Sequence, residues 1–444
     1  MFKKLHFKIE YLFSYLKKNL VYLVLGLVFG SLVFVFRSKI ISYYNQPNFH
    51  TTVIGLSGLY TPQKLPEIIQ NQLSYGLTSN NENDKPVLSP LIKSLEVNNS
   101  NKDYIFHLNP DYYWHNGKNF LSTDINYDFS GITIQPVDNL TLKISLTDPF
   151  SPILSLVSQP LFLKDLVGLG PYKLSDITYQ DGYVKVMKLQ SRDKNKSPLT
   201  YRFYSNEKDL FTAFKLGEVD EIETSSLPDE FLNWNHIKTN FTVQVDNRYL
   251  AVFLNTEKLN NKQLRQSLAY ATPKTKDKNE RCTGPVSPLS WAYNPFVKEY
   301  NYTPSRAKEL FEKNQIEKIN LAVVNRELLP IAEDIKTAWN TVLGIDVTVT
   351  IENQIDPQNY DAVLAFGGIP HDPDQYIYWH STQTRTNLTK LNNSRIDKLL
   401  EDGRTTFDTQ ERKRIYQDFQ KYLLEESPAI FLSYPITYTT SRIK

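Results

Sequence analysis

Residues 104–129, YIFHLNPDYYWHNGKNFLSTDINYDF, constrain the fold most, because they set a strand, a turn and a cap in immediate succession. Tyr104, Phe106 and Leu108 alternate with Ile105, His107 and Asn109, the period-two signature of a strand with one buried face, and Pro110 ends it. His115-Asn116-Gly117-Lys118 is a tight turn in which Gly117 suits a positive φ. Ser122 or Thr123 ahead of Asp124 offers an N-cap with an acid in the first turn, so a short helix is predicted from Ser122. The capping box is incomplete, since Ile125 stands where Glu or Gln would close it.

At 444 residues the chain is too long for one ordinary core, and two or three lobes are expected. Hydrophobic content of 41% with 22% charge excludes a disordered chain. Strands are predicted at residues 51–56, 131–135, 141–146, 170–187 (a pair turning at Asp181-Gly182) and 246–254, with helical patterns at 66–73, 207–214 and 228–234. The second half alternates more regularly. Helices are expected at 262–271, 305–313, 329–343, 393–403 and 409–426, and strands at 318–324, 346–351, 362–366 and 430–434, with Ser305 and Thr409 as N-caps and Gly344 and Gly403 as terminators. Such alternation argues a mixed α/β architecture.

Residues 20–36, LVYLVLGLVFGSLVFVF, carry no charge. Seventeen residues is the short end of a membrane span. The flanks favour a span over a core helix: Lys3, Lys4, Lys8, Lys17 and Lys18 precede it and Arg37 and Lys39 follow, which keeps the N-terminus cytoplasmic. The long basic leader favours an uncleaved anchor over a signal peptide. Seven Lys/Arg and one Glu in residues 1–49 give +6, and the whole chain is +2, so the remainder is −4. The basic charge thus belongs to the anchor, and nucleic acid is not expected as a partner. Cys282 is the only cysteine, which excludes an intramolecular disulfide and a cysteine metal cluster.

Residues 104–129 resemble the "strand, W/F-H/S-D/N-G-K/T, L/V-T/S-A/T-x-D-V/I, F" signature of the family 5 (peptide/nickel-type) extracellular solute-binding proteins of ABC importers. Further segments resemble the same family in order: Val167-Gly168-Leu169-Gly170-Pro171-Tyr172-Lys173-Leu174 ("GTGPYKL"), Lys215-Leu216-Gly217-Glu218-Val219-Asp220 ("GEID"), Leu254-Asn255-Thr256 with Leu264-Arg265-Gln266-Ser267-Leu268-Ala269-Tyr270-Ala271 ("NTxxxP...VRQALNYAI"), Tyr302 to Leu310 ("YDPEKAKELL") and Asp372-Pro373-Asp374-Gln375-Tyr376 ("DPDNF"). The resemblance implies an α/β, two-lobe periplasmic-binding-protein-like clamp (type II, with a small accessory domain) behind the N-terminal transmembrane helix. Lobe I would be residues 50–75 and 167–246, the reduced accessory domain 76–166, lobe II 247–432, and the tail 433–444 would return toward lobe I. Hinges are expected near 166–168 and 246–249. The chain departs from the pattern where the helix after "NYAI" is nearly missing, because Pro273 and the polar run 274–280 replace it.

The seven histidines are scattered, with no HExxH and no GxSxG, so no catalytic residue and no enzyme activity is expected; a hydrolase is the least favoured reading. His371, Asp372, Asp374 and His380 are of metal-ligating types, but a proline-containing turn with self-capping aspartates is the preferred reading, and no metal site or cofactor is assigned. His115 is likewise taken as a turn residue. The loops that the resemblance aims into the cleft carry Thr224, Ser225 and Ser226, then Trp291 and Tyr293, then Phe366, Gly367, Gly368 and Ile369, with Asp372 as a further ligand contact. The resemblance implies a membrane-anchored, extracytoplasmic receptor for peptides or a related solute, with ABC permease subunits as partners. A non-transport sensor or chaperone-like module of the same fold is the alternative. Peptide-binding relatives hold the ligand's free amine with an aspartate just before the "DPD" turn. Here residues 365–371 hold no carboxylate, so strong selection for a free N-terminus is not expected unless Asp372 turns inward.

Overall fold

The structure is a computed structural model and describes residues 18, 19, 31, 51–81, 85–275, 277–352 and 359–443. Its contacts divide the chain into residues 1–51 with 193–198 and residues 52–192 with 199–444; the sheets and sites described below belong to the second unit. The expected membrane span, residues 20–36, lies outside the described residues, and among the described residues no helix is long and apolar enough to cross a membrane.

Three larger sheets organise the unit. The first has seven strands, in the order Ile237–Val243, Ile436–Arg442, Glu221–Thr224, Thr52–Ser57, Leu199–Tyr204, Tyr183–Ser191 and Tyr172–Gln180. Its centre is parallel and its flanks antiparallel. Both faces are covered. Leu56, Tyr201 and Phe203 pack on the helix Glu67–Leu73, while Ile222 packs beneath Leu210 and Phe214 of the helix Glu207–Leu216. The second sheet has five strands, in the order Asp346–Ile351, Lys318–Val323, Ala362–Gly368, Arg248–Leu254 and Ala429–Ser433. Along Arg248–Leu254, Leu250, Val252 and Leu254 face one core while Tyr249, Ala251 and Phe253 face another. Burial on both faces explains why this strand reads as an unbroken apolar run. Helices Lys262–Ala271, Pro304–Phe311 and Leu329–Leu343 cover the first face, and Ser394–Thr405 and Thr409–Glu426 the second. The third sheet, Ile92–Asn98, Asp103–Leu108, Thr141–Leu146 and Ile132–Asp138, is antiparallel and puts Tyr104, Phe106 and Leu108 into one core, as their alternation predicts.

The chain crosses between the seven- and five-stranded sheets at residues 244–247 and again at 434–435. The Gln244 N–H donates to the Pro435 carbonyl at 2.8 Å, so the two crossings are bonded to each other. Residues 166–168, expected to hinge, instead join the third sheet's region to the strand Tyr172–Gln180.

Local expectations change in four places. The helix predicted from Ser122 is a single 3-10 turn, Ser122–Asp124. Its cap runs the other way: Asp124 Oδ2 accepts the Leu121 N–H and the Trp114 indole N–H, each at 2.9 Å. Thr303 and Asp408, not Ser305 and Thr409, occupy the N-cap positions, and the Asp408 carboxylate accepts the Glu411 N–H at 2.8 Å. Gly403 lies inside its helix, where a Cβ would fall 2.7 Å from the Tyr416 ring, whereas Gly344 ends its helix at φ 75° as expected.

His115 is a clasp between two distant segments. Its Nε2 donates to the Gly170 carbonyl at 3.0 Å and its Nδ1 accepts the Gly168 N–H at 3.3 Å, which fixes the Nε2–H tautomer. A Cβ on Gly168 would fall 2.1 Å from the Leu73 carbonyl oxygen, so only glycine lets the segment lie this close. Burial holds the His115 pKa below the ordinary value, opposed by the Gly170 bond and reinforced by Arg192 and Lys173. The unfolded chain therefore binds this proton more readily than the folded one. The contribution is complete above the unfolded value near ~6.5 and is lost as pH falls below it. His115→Gln should lower the melting temperature at neutral pH and flatten its fall between about pH 7.5 and about pH 5; an unchanged slope by calorimetry would exclude His115 as the group responsible.

Candidate functional site

The strand Ala362–Gly368 ends beside the first crossing. Phe366 lies under the Arg248 guanidinium, 4.5 Å from its carbon to the ring centroid, and the Ile369 N–H donates to the Asn247 carbonyl at 2.8 Å. Gly367 and Gly368 are required by close neighbours, since a Cβ would fall 2.3 Å from the Tyr249 ring and 2.5 Å from the Tyr378 hydroxyl. The turn that follows caps itself: Asp372 Oδ1 accepts the Asp374 N–H at 3.0 Å and Asp374 Oδ1 accepts the Tyr376 N–H at 3.1 Å.

Asp372 is 8% exposed and faces Arg412, whose Nη1 and Nη2 donate to its two oxygens at 2.9 and 2.6 Å. Arg412 Nε also donates to the Gly403 carbonyl at 2.8 Å, and its guanidinium lies 5.5 Å from the Trp291 ring centroid. Burial works against the charged guanidinium, but the Asp372 carboxylate more than offsets it and holds Arg412 above its ordinary pKa. Asp372, expected at the ligand, is thus spent on a bidentate buried ion pair. Asp374 pairs with Arg404 at 2.8 Å; burial raises its pKa and Arg404 lowers it. His371 lies 3.4 Å from Glu67 and His380 3.4 Å from Glu401. Among the described residues no group of three or more His, Cys, Asp or Glu is placed to hold a metal ion.

Thr224, Ser225 and Ser226 close on their own loop. The Thr224 hydroxyl donates to the Ser226 carbonyl at 2.8 Å, and Glu207 accepts from the Ser225 N–H at 2.5 Å and the Ser226 hydroxyl at 2.9 Å. Trp291 and Tyr293 sit on a loop held by the helix Thr409–Glu426, where Gln417 Nε2 donates to the Tyr293 carbonyl at 3.1 Å.

A cleft of about 1180 Å³ opens beside the crossings, lined by Val243 at the end of its strand, Val245 from the first crossing and Tyr434 from the second. Of the ten predicted site residues, Tyr293 lines it. The remaining wall comes from residues 273–302, including Lys274, Lys278, Arg281 and Glu299, none of them expected. The sequence signal was the polar run 274–280, read only as a missing helix. Lys274 donates to the carbonyls of Ala269 and Thr272 at 2.5 and 2.8 Å. Burial, with Arg281 nearby, holds its amine well below the ordinary lysine value. Cys282 is fully buried, its thiol pushed up to about 12 by burial.

Two covered α/β sheets joined by two short crossings, with a cleft of this size beside them, define a solute-binding architecture. Residues 87–387 match the bacterial extracellular solute-binding proteins, family 5, and the chain belongs to that family. Its relatives bind solutes for ABC importers and are not enzymes. The dipeptide-binding protein of Escherichia coli (strain K12) is 22% identical over 464 residues, covering 80% of this chain and 82% of that one. NikZ from Campylobacter jejuni, in complex with Ni(L-His), has a TM-score of 0.73 at 22% identity over 88% of this chain and 94% of that one. AppA from Bacillus subtilis, in complex with a nonapeptide, has a TM-score of 0.70 at 19% identity with the same coverages.

Removing one partner of the buried ion pair strands the other charge. Arg412→Met should cost about 3–5 kcal/mol in urea unfolding, and adding Asp372→Leu should recover much of that loss. A single variant as stable as the parent would show that water reaches the pair.

Proposed function

We propose that this chain is the membrane-anchored, extracytoplasmic substrate-binding component of an ABC importer, closing on a peptide or a related solute. In this reading residues 50–75 and 167–246, with the returning tail 433–444, form lobe I. Residues 76–166 form the accessory domain and 247–432 lobe II. The lobes close about the crossings at 244–247 and 434–435, because two short segments bonded to each other can absorb a rotation while each sheet stays rigid. Residues 20–36 form the anchor.

The observation that carries the peptide reading is the cleft. Its volume of about 1180 Å³ exceeds the roughly 300–1,000 Å³ of pockets for drug-sized ligands, which suits a chain of several residues. Tyr293, Tyr302 and Tyr434 give its wall broad apolar faces with polar tips, a surface that accepts varied side chains. Thr224, Ser225, Ser226, Trp291 and Phe366 to Ile369 are the further contacts of the closed form. Asp372 supports its loop through Arg412 and does not meet the ligand.

With Asp372 spent and residues 365–371 lacking a carboxylate, a free N-terminus gains no charge-assisted bond at this turn. Affinity-selection mass spectrometry with a random tetrapeptide library should recover free and N-acetylated members within about threefold of each other. Recovery of neither would overturn the peptide reading. A free-amine preference above ~10-fold would show that another carboxylate has taken the aspartate's role.

The anchor is tested separately. Protease added to intact cells should remove residues 50–444 from the surface, since a basic leader before an apolar run keeps the N-terminus inside. Protection of the large domain until lysis would overturn the assigned topology.

A further inference from the structure

We propose that Arg404 latches the clamp: Phe150 and Ser151 of the accessory domain close on it across the lobe boundary and hold the lobes together before any ligand enters. The latch rests on the lobes and crossings proposed above, and adds a contact that sets their closed-to-open balance.

The accessory side of this contact is tied to lobe I. His115 bonds to Gly168 and Gly170, the Leu161 N–H donates to the Tyr75 carbonyl at 3.0 Å, and the Ser74 hydroxyl donates to the Leu161 carbonyl. Phe150 packs on the core of the third sheet, so its ring is carried with that domain.

Ser151 reaches the C-terminal end of the helix Ser394–Thr405 in lobe II. Its N–H donates to the Arg404 carbonyl at 2.7 Å and its hydroxyl to the Gly403 carbonyl at 3.1 Å. Both belong to the last four carbonyls of that helix, which have no partner within it. The Arg404 guanidinium meets two rings, 4.1 Å from the Tyr376 centroid and 5.0 Å from that of Phe150. Tyr376 is stacked in turn on His380 with centroids 4.0 Å apart, and Asp374 accepts from Arg404 Nε at 2.8 Å. Asp374, Tyr376 and His380 all lie in lobe II. They hold the guanidinium in place on their own, so little side-chain entropy is lost when Phe150 arrives.

Rotation about residues 244–247 and 434–435 must break these contacts, because Phe150 and Ser151 move with one lobe and Arg404 with the other. Phe150, Ser151, Tyr376 and Arg404 lie outside the lining of the cleft, so the latch acts on closure and not on ligand contacts. A hydrogen bond shifts an equilibrium roughly 2- to 12-fold and an exposed cation–π contact roughly 2- to 5-fold. Together they favour the closed form, and a ligand enters through the minor open one. Glu67 and His371 also meet across this boundary at 3.4 Å, but both are exposed and the pair adds little.

The test is the distance between spin labels on the two lobes of the full chain, stripped of bound solute by dialysis. Lys208→Cys in lobe I and Thr341→Cys in lobe II offer exposed label sites, and Cys282 is buried and stays unlabelled. Double electron–electron resonance should show mainly the shorter, closed distance. Ser151→Ala and Phe150→Leu should each shift the closed-to-open ratio toward open by about threefold, and together by about tenfold, with the melting temperature unchanged. Saturation with the random tetrapeptide library should restore the closed distance. A shift to open that the library does not reverse supports the latch and overturns the peptide reading. A parent already open, shortened only by the library, overturns the latch and leaves hinge closure intact. A melting temperature that falls while the distances stay put assigns these residues to packing and overturns the latch. Distances moved by neither the substitutions nor the library overturn the latch and the hinge together.

Discussion

The Asp372–Arg412 pair is the contact on which the second half of the molecule depends. Asp372 leaves the end of the strand Ala362–Gly368, and Arg412 stands in the first turns of the helix Thr409–Glu426. The same guanidinium holds the Gly403 carbonyl of the preceding helix and lies against Trp291. One charge therefore fixes a strand end, two helices and the loop of Trp291 in register. A bidentate pair with a third bond to a carbonyl is the geometry in which burying both charges comes nearest to breaking even. The consequence for recognition follows from the same bonds, since a carboxylate with both oxygens occupied by arginine offers a ligand amine little.

The elements legible in the sequence were those whose signals are local. Residues 329–343 carry a long helical period with Gly344 beyond it, and the observed helix has those bounds. Asp181-Gly182 joins two strands as expected, with φ of 53° and 82° at the turn. The strands Ile237–Val243 and Ile436–Arg442 went unread because polar residues occupy both of their faces, and only pairing with each other and with Glu221–Thr224 makes them strands. Gly403 was misread for a related reason. A glycine that ends a helix and one that admits a tyrosine ring look alike in sequence, and Tyr416 decides between them only in three dimensions.

The candidate site was less legible than the fold. Its loops were assigned through resemblance, Tyr293 alone of the ten residues lines the cleft, and the partners that decide what each residue does lie far along the chain. Arg412 is 40 residues from Asp372, and Arg281 is 150 from the Phe431 carbonyl it holds. No periodicity encodes such distances. The aspartate was therefore placed at the ligand from its turn alone, without the arginine that pairs with it, and Lys274, Lys278 and Arg281 were passed over as part of the remnant of a helix.

That remnant shows how a shortened segment can change the wall of a cleft. The helix Lys262–Ala271 stops at Thr272-Pro273, and the last carbonyls of a helix need donors wherever it ends. The strand Ala429–Ser433 likewise presents the carbonyls of Phe431 and Leu432 beside the second crossing. A further helical turn or a paired strand would satisfy these groups with neutral N–H donors. Here Lys274 and Arg281 satisfy them, and burial holds the pKa of each below its ordinary value. Capping these elements with side chains thus places Lys274 and Arg281 in the wall of the cleft, with Glu299 acting on Arg281. The residues that satisfy the carbonyls and two of the residues that line the cleft are therefore the same.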